Sequence, residues 1–574
     1  MSKINSRSSP PRFALLMVGL VAVFALVRPV QAPQTAGVEA RPSVAAARLG
    51  TNLRDVMDWS TQRPFLDLIK QARAWFTQCD PERDADCDGG WETGQARELD
   101  VDEQGWVRSL PAPAAPGYSI AATVLHQPDS LRAGRYVMRY AGTGEIRYRL
   151  GARRIDSASR PGRDVLDIDP ARGAIHIQIY ATDPAGSGDY LRDLQLVRQD
   201  REPLLLAGQH FDPDFLRRIG PFQALRFMEW MKTNGSPLEQ WIQRPLPDDA
   251  LYTLSAGVPA ERMIELANAL GAAPWFTLPH RADDDLMRQF ARLARDTLAP
   301  SLKVYVEYSN EVWNASFAQH GWVAEQARAL WPGGKHSALA KTINWYGKRS
   351  AELCDIWKQV FANAEERVVC VMGGQAANAW IATQALDCRL WTAGKPCSSH
   401  GIDAIAIAPY FGGYLGDPSH ESRLADWASA GEEGLERLFL ELEHGGLLPD
   451  GPEGGALAQA MRWVDQHVAL GNRLGLPVLA YEGGQHLVGL RGAATAPAVS
   501  DFFIRANRDP RMGRLYRAYL GAWGDHSGGL LMHFSDIGTP TMHGSWGALE
   551  DVTQVWSPKF GALIQFLSSS DLLR

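Results

Sequence analysis

The sequence predicts an α/β protein: a closed parallel (β/α)8 TIM barrel interrupted by an inserted antiparallel β-sandwich domain. Three observations carry this. Eight short apolar segments alternate with amphipathic helical stretches from about residue 48 onward. A run of period-two segments, from about 118 to 199, interrupts that alternation after its first strand. No G-x-G-x-x-G follows the first strand, so an open dinucleotide-binding sheet lacks its main support. Eight β/α units then favour closure into a barrel.

Residues 1–32 read as a signal peptide or N-terminal anchor. Lys3, Arg7 and Arg12 form a positive start, Phe13 to Val27 is apolar throughout, and Val30-Gln31-Ala32 offers a small-x-small cleavage site. The apolar run is short for a spanning helix, which needs about 20 residues. Arg28 follows it directly, so cleavage and retention as an anchor both stay open. Contact with a membrane is expected only if the segment is uncleaved. Residues 33–46, rich in Ala, Pro and Val, read as a linker.

Residues 47–106 form the first part of the barrel in this reading. RLGTNL (48–53) is its first strand, and PFLDLIKQARAW (64–75) has helical apolar spacing. Residues 107–200 form the insert, with strands expected in YSIAATVLH, GRYVMRYAG, EIRYRLG, AIHIQIYATD and LRDLQLVRQ. Tyr136, Tyr140 and Tyr148 are candidate sugar platforms on it, or else packing residues of its core. Residues 201–574 complete the barrel. Their strands are QALRFMEWM (223–231), APWFTLPH (273–280), KVYVEYSNE (303–311), RVVCVMGG (367–374), IDAIAIAPYF (402–411), PVLAYEGG (477–484) and GGLLMHFS (528–535).

Composition narrows the function. At 45% hydrophobic and 21% charged, the chain is globular rather than disordered. A net charge of −7 gives no basic face for a nucleic-acid partner. Six Cys suit an exported, secreted or periplasmic protein. Cys79 with Cys87, and Cys388 with Cys397, are close enough in polar loops to form two local disulfides. Cys354 and Cys370 form a third or stay as buried thiols. No C-x-x-C occurs, so no metal site is expected.

A barrel of this kind presents its active site at the C-terminal ends of its strands. The fourth strand ends in Ser309-Asn310-Glu311, and the seventh in Tyr481-Glu482-Gly483-Gly484. Two carboxylates thus emerge from strands across one pocket. Glycoside hydrolysis needs such a pair, one to protonate the leaving oxygen and one to act at the anomeric carbon.

Here YVEYSNEVWN (305–314) and VLAYEGG (478–484) resemble the clan A, or "4/7", retaining glycoside hydrolases. The resemblance covers roughly 48–105 and 200–574, not the insert. It implies Glu311 as acid/base, Glu482 as nucleophile and Asn310 as partner of the sugar 2-hydroxyl. It also implies Tyr410 on the sixth strand and Arg226 on the second as neighbours of the nucleophile, with His280 a looser match. The eighth strand departs from the pattern: it ends in His533-Phe534-Ser535-Asp536, and the nearest later Trp is Trp546.

Physical reasoning points the same way. Arg226 and Tyr410 should keep Glu482 ionised, while Trp313 and the charge on Glu482 should hold the proton on Glu311. Asn52, Asp55, Asp58, Trp59, Glu229, Trp230, Asn234, Gln375, Asn378 and His486 also stand after strands, as sugar ligands or loop supports. His280, Arg281 and Lys232 are a candidate cationic subsite for a uronic acid.

The reading is an O-glycosyl hydrolase that needs no cofactor and cleaves a β-linked polysaccharide. An endo mode is expected, because about 440 barrel residues exceed the ~250 typical of the fold and leave long loops for an open cleft. Two rivals remain. One is a non-catalytic glycan-binding protein on the same barrel, working in polysaccharide sensing or export. The other is an esterase, which would need a G-x-S-x-G elbow that the sequence lacks.

Overall fold

The computed structural model describes residues 48–571, except 83, 85–86, 112–116, 127–130, 392–394 and 491–495. The expected signal segment and linker lie outside the described residues. Among the described residues, no helix is long and apolar enough to cross a membrane.

Eight parallel strands close into a barrel: β1 (Leu49–Asn52), β2 (Ala224–Arg226), β3 (Ala273–Leu278), β4 (Val304–Tyr308), β5 (Val368–Gly373), β6 (Ala404–Ile407), β7 (Val478–Ala480) and β8 (Leu531–His533). β8 returns to β1 in register, with Leu49 opposite Leu531 and Thr51 opposite His533. All eight fall within the segments expected from the sequence, though each is shorter. Gly50 permits the closure, because a Cβ there would lie 2.4 Å from the Met532 sulfur and 2.6 Å from the Ala224 carbonyl oxygen.

Strand pleat sorts the side chains of β4. Val306 and Tyr308 join the apolar layer, where the Tyr308 ring meets Trp345 and Tyr346 of the helix Ala338–Val360. Tyr305 stacks on Trp275 of β3, and Trp275 donates to Glu307. A carboxylate of β4 thus shares one side of the sheet with Trp275 and, opposite it in register, Arg226.

Helices between the strands include Ala260–Leu270, Asp284–Thr297 and Gly455–Leu474. Asp283 caps the second by accepting from Leu286 N, and Gly475 ends the third in the left-handed region. The helix expected over 64–75 is not formed. Only a 3-10 turn spans Leu68–Gln71, because Asp67 accepts from both Ile69 N and Leu196 N and ties the segment to a strand. Leu68, Ile69 and Ala72, part of that apolar spacing, are buried in the antiparallel layer. The α-helices between β1 and β2 are instead Glu202–Leu206 and Pro213–Ile219.

Between β1 and β2 the chain makes two four-stranded antiparallel sheets. One is ordered Phe76–Gln78, Ile120–Leu125, Ile175–Thr182, Gly144–Leu150. The other is ordered Arg192–Arg198, Gly134–Ala141, Arg163–Ile168, Ala152–Arg154. Side chains of both enter one apolar cluster, including Ile177 and Ile179 from the first and Met138 and Leu166 from the second. Phe76–Gln78 joins this layer although it precedes the stretch expected to hold it. Tyr136 and Tyr148 lie in the cluster, at 1% and 8% exposure, so they are packing residues; the half-buried Tyr140 packs against it. Cys79–Cys87 and Cys388–Cys397 are disulfide-bonded, and Cys354 and Cys370 are buried free thiols.

Candidate active site

Arg226, fully buried at the end of β2, organises the mouth of the barrel. One terminal nitrogen donates to Glu482 Oε1 at 2.9 Å and to Asn52 Oδ1 at 3.1 Å. The other donates to Glu307 Oε2 and Asn310 Oδ1, both at 3.0 Å. A guanidinium suits this position because its planar fork holds several acceptors at fixed angles. Through one cation, side chains from β1, β2, β4 and the ends of β4 and β7 become a single network. Asn52 also donates to the Tyr481 carbonyl at 3.0 Å.

The two strand-end carboxylates have different partners. Glu482 accepts from Arg226 and, through Oε2, from the Tyr410 hydroxyl at 3.0 Å. Glu311 has no cationic partner among the described residues. It accepts from the Tyr481 hydroxyl at 2.8 Å and from Asn314 Nδ2 at 2.9 Å. Trp313 stands beside them, its ring 6.4 Å from that of Tyr481.

The backbone that carries Glu311 is strained. Ser309 and Glu311 have φ of +60° and +41°, in the left-handed region that side chains other than glycine seldom adopt. Such conformations cost about 1–3 kcal/mol each and persist only where the surroundings over-determine them. Here Ser309 N donates to the Leu278 carbonyl, and Gln319 Nε2 donates to the Asn310 carbonyl at 2.7 Å. Gln319 also donates to Asn234 Oδ1, which accepts from Asn310 as well. The turn therefore aims Glu311 and Asn310 with little freedom.

Electrostatics departs from the sequence expectation in one respect. Burial pushes Glu482 up to about 8; Arg226 pulls it down, Glu311 pushes it up, and the Tyr410 hydrogen bond pulls it down. Burial also raises Glu307, against Arg226 and Trp275. Both carboxylates lean on the one cation, and its attraction does not outweigh the loss of water. Arg226 and Tyr410 are in place as expected, but they do not by themselves keep Glu482 ionised.

Trp546 reaches the site although no Trp ends β8. Its ring lies 5.8 Å from Tyr410, 5.1 Å from His486 and 5.7 Å from Phe534. Reciprocal backbone hydrogen bonds hold its loop to β8's end: Ser535 N to the Trp546 carbonyl and Ala548 N to the Ser535 carbonyl. The buried Lys559 braces the loop by donating to the Ser545 carbonyl.

Other expected residues lie elsewhere. Trp230 is fully buried against Phe65 and Phe227, so no sugar reaches it. His280 is buried edge-on to Trp322, and burial lowers it to about 4, with Arg281 adding to the effect. Among the described residues it shares no hydrogen bond with the Arg226 network. Glu229 accepts from Arg54 and from Asp55 N, supporting the loop after β1. The cationic subsite does not assemble, because Lys232 pairs with Asp55, Arg281 pairs with Glu239, and His280 is neutral.

Sequence reasoning passed over Tyr481, Glu307, Asn314 and Gln319. Two of these had a signal. Glu307 is a lone charge inside the apolar run of β4, and Tyr481 sits directly before Glu482. Asn314 and Gln319 act from a loop and a helix start, where only the folded chain reveals the contact.

No known protein family matches the sequence, and no curated protein does. Several solved structures are similar to part of it. A GH10 structure from Paenibacillus barcinonensis is 12% identical, covering 62% of this chain and 92% of that one, at a TM-score of 0.35. A Bacteroidetes-affiliated GH5 cellulase linked with a polysaccharide utilization locus is 12% identical, covering 61% and 82%, at 0.33. Thermotoga maritima Cel5A in complex with mannotriose is 11% identical, covering 63% and 91%, at 0.29. The barrel of this chain rests on its own closed ring of strand pairs.

Proposed function

We propose that the chain is a retaining glycoside hydrolase acting on a β-linked polysaccharide, with Glu482 as nucleophile and Glu311 as acid/base. The observation that carries this reading is the asymmetry of the pair. Glu482 is held by a guanidinium and a phenol, which stabilise negative charge. Glu311 is held by a phenol and an amide, which tolerate either protonation state. The reaction needs Glu482 ionised and the transferred proton on Glu311. Burial is the main cause that raises Glu482, Arg226 lowers it and the charge on Glu311 raises it, so protonating Glu311 on substrate binding brings Glu482 part of the way down.

In the first step a Glu482 oxygen bonds to the anomeric carbon while the glycosidic bond breaks. Glu311 gives its proton to the departing oxygen. In the second step the Glu311 carboxylate takes a proton from water, whose oxygen displaces Glu482 and frees the sugar. Asn310 is positioned to hold the 2-hydroxyl, and Trp546 to wall the subsite beside Tyr410. No cofactor enters either step.

Long βα loops favour an endo mode in an open cleft. The two disulfides suit a secreted or periplasmic location. The test is hydrolysis of β-glucans, xylan, mannan and bacterial exopolysaccharides by the native chain, Glu311→Gln and Glu482→Gln. The reading expects one polymer to be cut and both variants to lose at least about 10³-fold. Equal cutting by the variants overturns the assignment. Glycan binding without hydrolysis favours a non-catalytic role in sensing or export.

A further inference from the structure

The strand Ile175–Thr182 has two faces. Ile175, Ile177 and Ile179 enter the core shared with the second antiparallel sheet, so His176, Gln178 and Tyr180 face the other side. There an open cleft of about 420 Å³ is lined by Gln78, Asp80, Trp91, Arg149, Gln178 and Tyr180. None of these residues belongs to the Arg226 network.

Trp91 is 48% exposed, and its exposure is built in. Its ring lies 4.8 Å from that of His176 and 5.6 Å from that of Phe76, which together seat one side of the indole. Gln78 Nε2 donates to the Trp91 carbonyl at 2.7 Å, and the Cys79–Cys87 disulfide ties off the loop between. Beside this platform Gln178, only 7% exposed, donates to Gln78 Oε1 at 2.7 Å. Its own Oε1 has no hydrogen-bond partner among the described residues. A buried amide oxygen left unpaired is costly, and it lies just beneath the cleft that Gln178 helps to line. Arg149, exposed at the cleft, forms no ion pair among the described residues.

We propose that this cleft is a second carbohydrate site, in which Trp91 takes the C–H face of a pyranose and the exposed Arg149 donates to a hydroxyl on its rim, with Gln178 turning its amide to meet another. A pyranose has one apolar face and a polar rim, and the cleft has the complementary arrangement. An apolar peptide or lipid would cover the charged Arg149 without pairing it. The proposal rests on the reading of the chain as a polysaccharide-active enzyme, and assigns the antiparallel layer the task of holding the polymer.

The test is affinity electrophoresis of full-length Glu482→Gln, which leaves the polymer intact, in gels containing xylan, mixed-linkage β-glucan or glucomannan. At least one polymer should retard it. Adding Trp91→Ala should weaken that binding about tenfold or more, as expected for loss of a Trp anchor, and Arg149→Ala about threefold. Arg149 is exposed, so its variant guards against a folding defect in Trp91→Ala. In the otherwise native chain, Trp91→Ala should leave kcat/KM on a short oligosaccharide unchanged. Retardation that survives both variants, or absence of retardation in every gel, overturns the proposal. Binding that depends on Trp91 in a chain that cuts no polymer would leave this site standing and remove the catalytic reading.

Discussion

The mouth of the barrel and the outer face of the antiparallel sheet use polar groups in opposite ways. At the mouth, Arg226 is buried and spends its donors on Glu307, Glu482, Asn52 and Asn310. On the sheet, Gln178 leaves an oxygen unpaired and Trp91 leaves half its surface to water. The first arrangement fixes charges before a substrate arrives, which is what transition-state stabilisation requires. The second leaves an aromatic face and a cation open at the surface, which is what the proposed binding requires. Rigidity comes from charge pairing in one region, and from ring packing and a disulfide in the other.

The comparison breaks most readily at the mouth. Replacing Glu482 or Glu311 by Gln should lower kcat by at least about 10³-fold, measured on whichever polymer is cut. Replacing Arg226 by Gln leaves two buried carboxylates without their cation. That should cost about 3–5 kcal/mol of stability in urea unfolding, as expected when a buried pair loses one partner. A loss under about 1 kcal/mol would show that Glu307 and Glu482 do not depend on it. Removing one donor from the nucleophile, in Tyr410→Phe, should lower kcat by about 10²-fold and leave the fold intact by circular dichroism.

The pH dependence sharpens the same contrast. Glu482 sits at about 8 in the folded chain, above the ordinary glutamate value. The folded state therefore keeps a proton that the unfolded chain releases at lower pH. Its contribution to stability is full below the ordinary value and is lost as pH rises through about 8. The Tm of the native chain should fall between pH 5 and 8.5, and Glu482→Gln should flatten that fall. Parallel curves would show that the proton resides elsewhere. The smallest effect belongs to the sheet: Trp91→Ala should leave Tm and its pH dependence nearly unchanged.

Much of the barrel was legible because parallel strands are short apolar runs and their ends carry the chemistry. The spacing placed β4 and β7, and with them Glu311 and Glu482, before any contact was known. Asn52 was legible as a strand-end polar residue, whereas Arg226 and Tyr410 followed only from the resemblance to the 4/7 hydrolases. The segment 64–75 misled because helical spacing marks burial, and Asp67 divides its side chain between capping the short turn and holding a neighbouring strand. Trp230 misled for a related reason: standing after a strand does not decide whether a ring turns to the mouth or into the core. Trp91 gave no signal, since its seat on Phe76 and His176 joins three distant stretches of chain.

In the proposed reaction Glu482 bonds to the sugar while Glu311 moves the proton. Incubating the native chain with 2-deoxy-2-fluoro-β-glycosyl fluorides of glucose, xylose and mannose should trap the intermediate, because the fluorine slows its release. Peptide mapping by mass spectrometry should then place one added sugar on Glu482. An adduct on Glu311 or Glu307, or turnover of these fluorides with inverted anomeric configuration, would contradict the account.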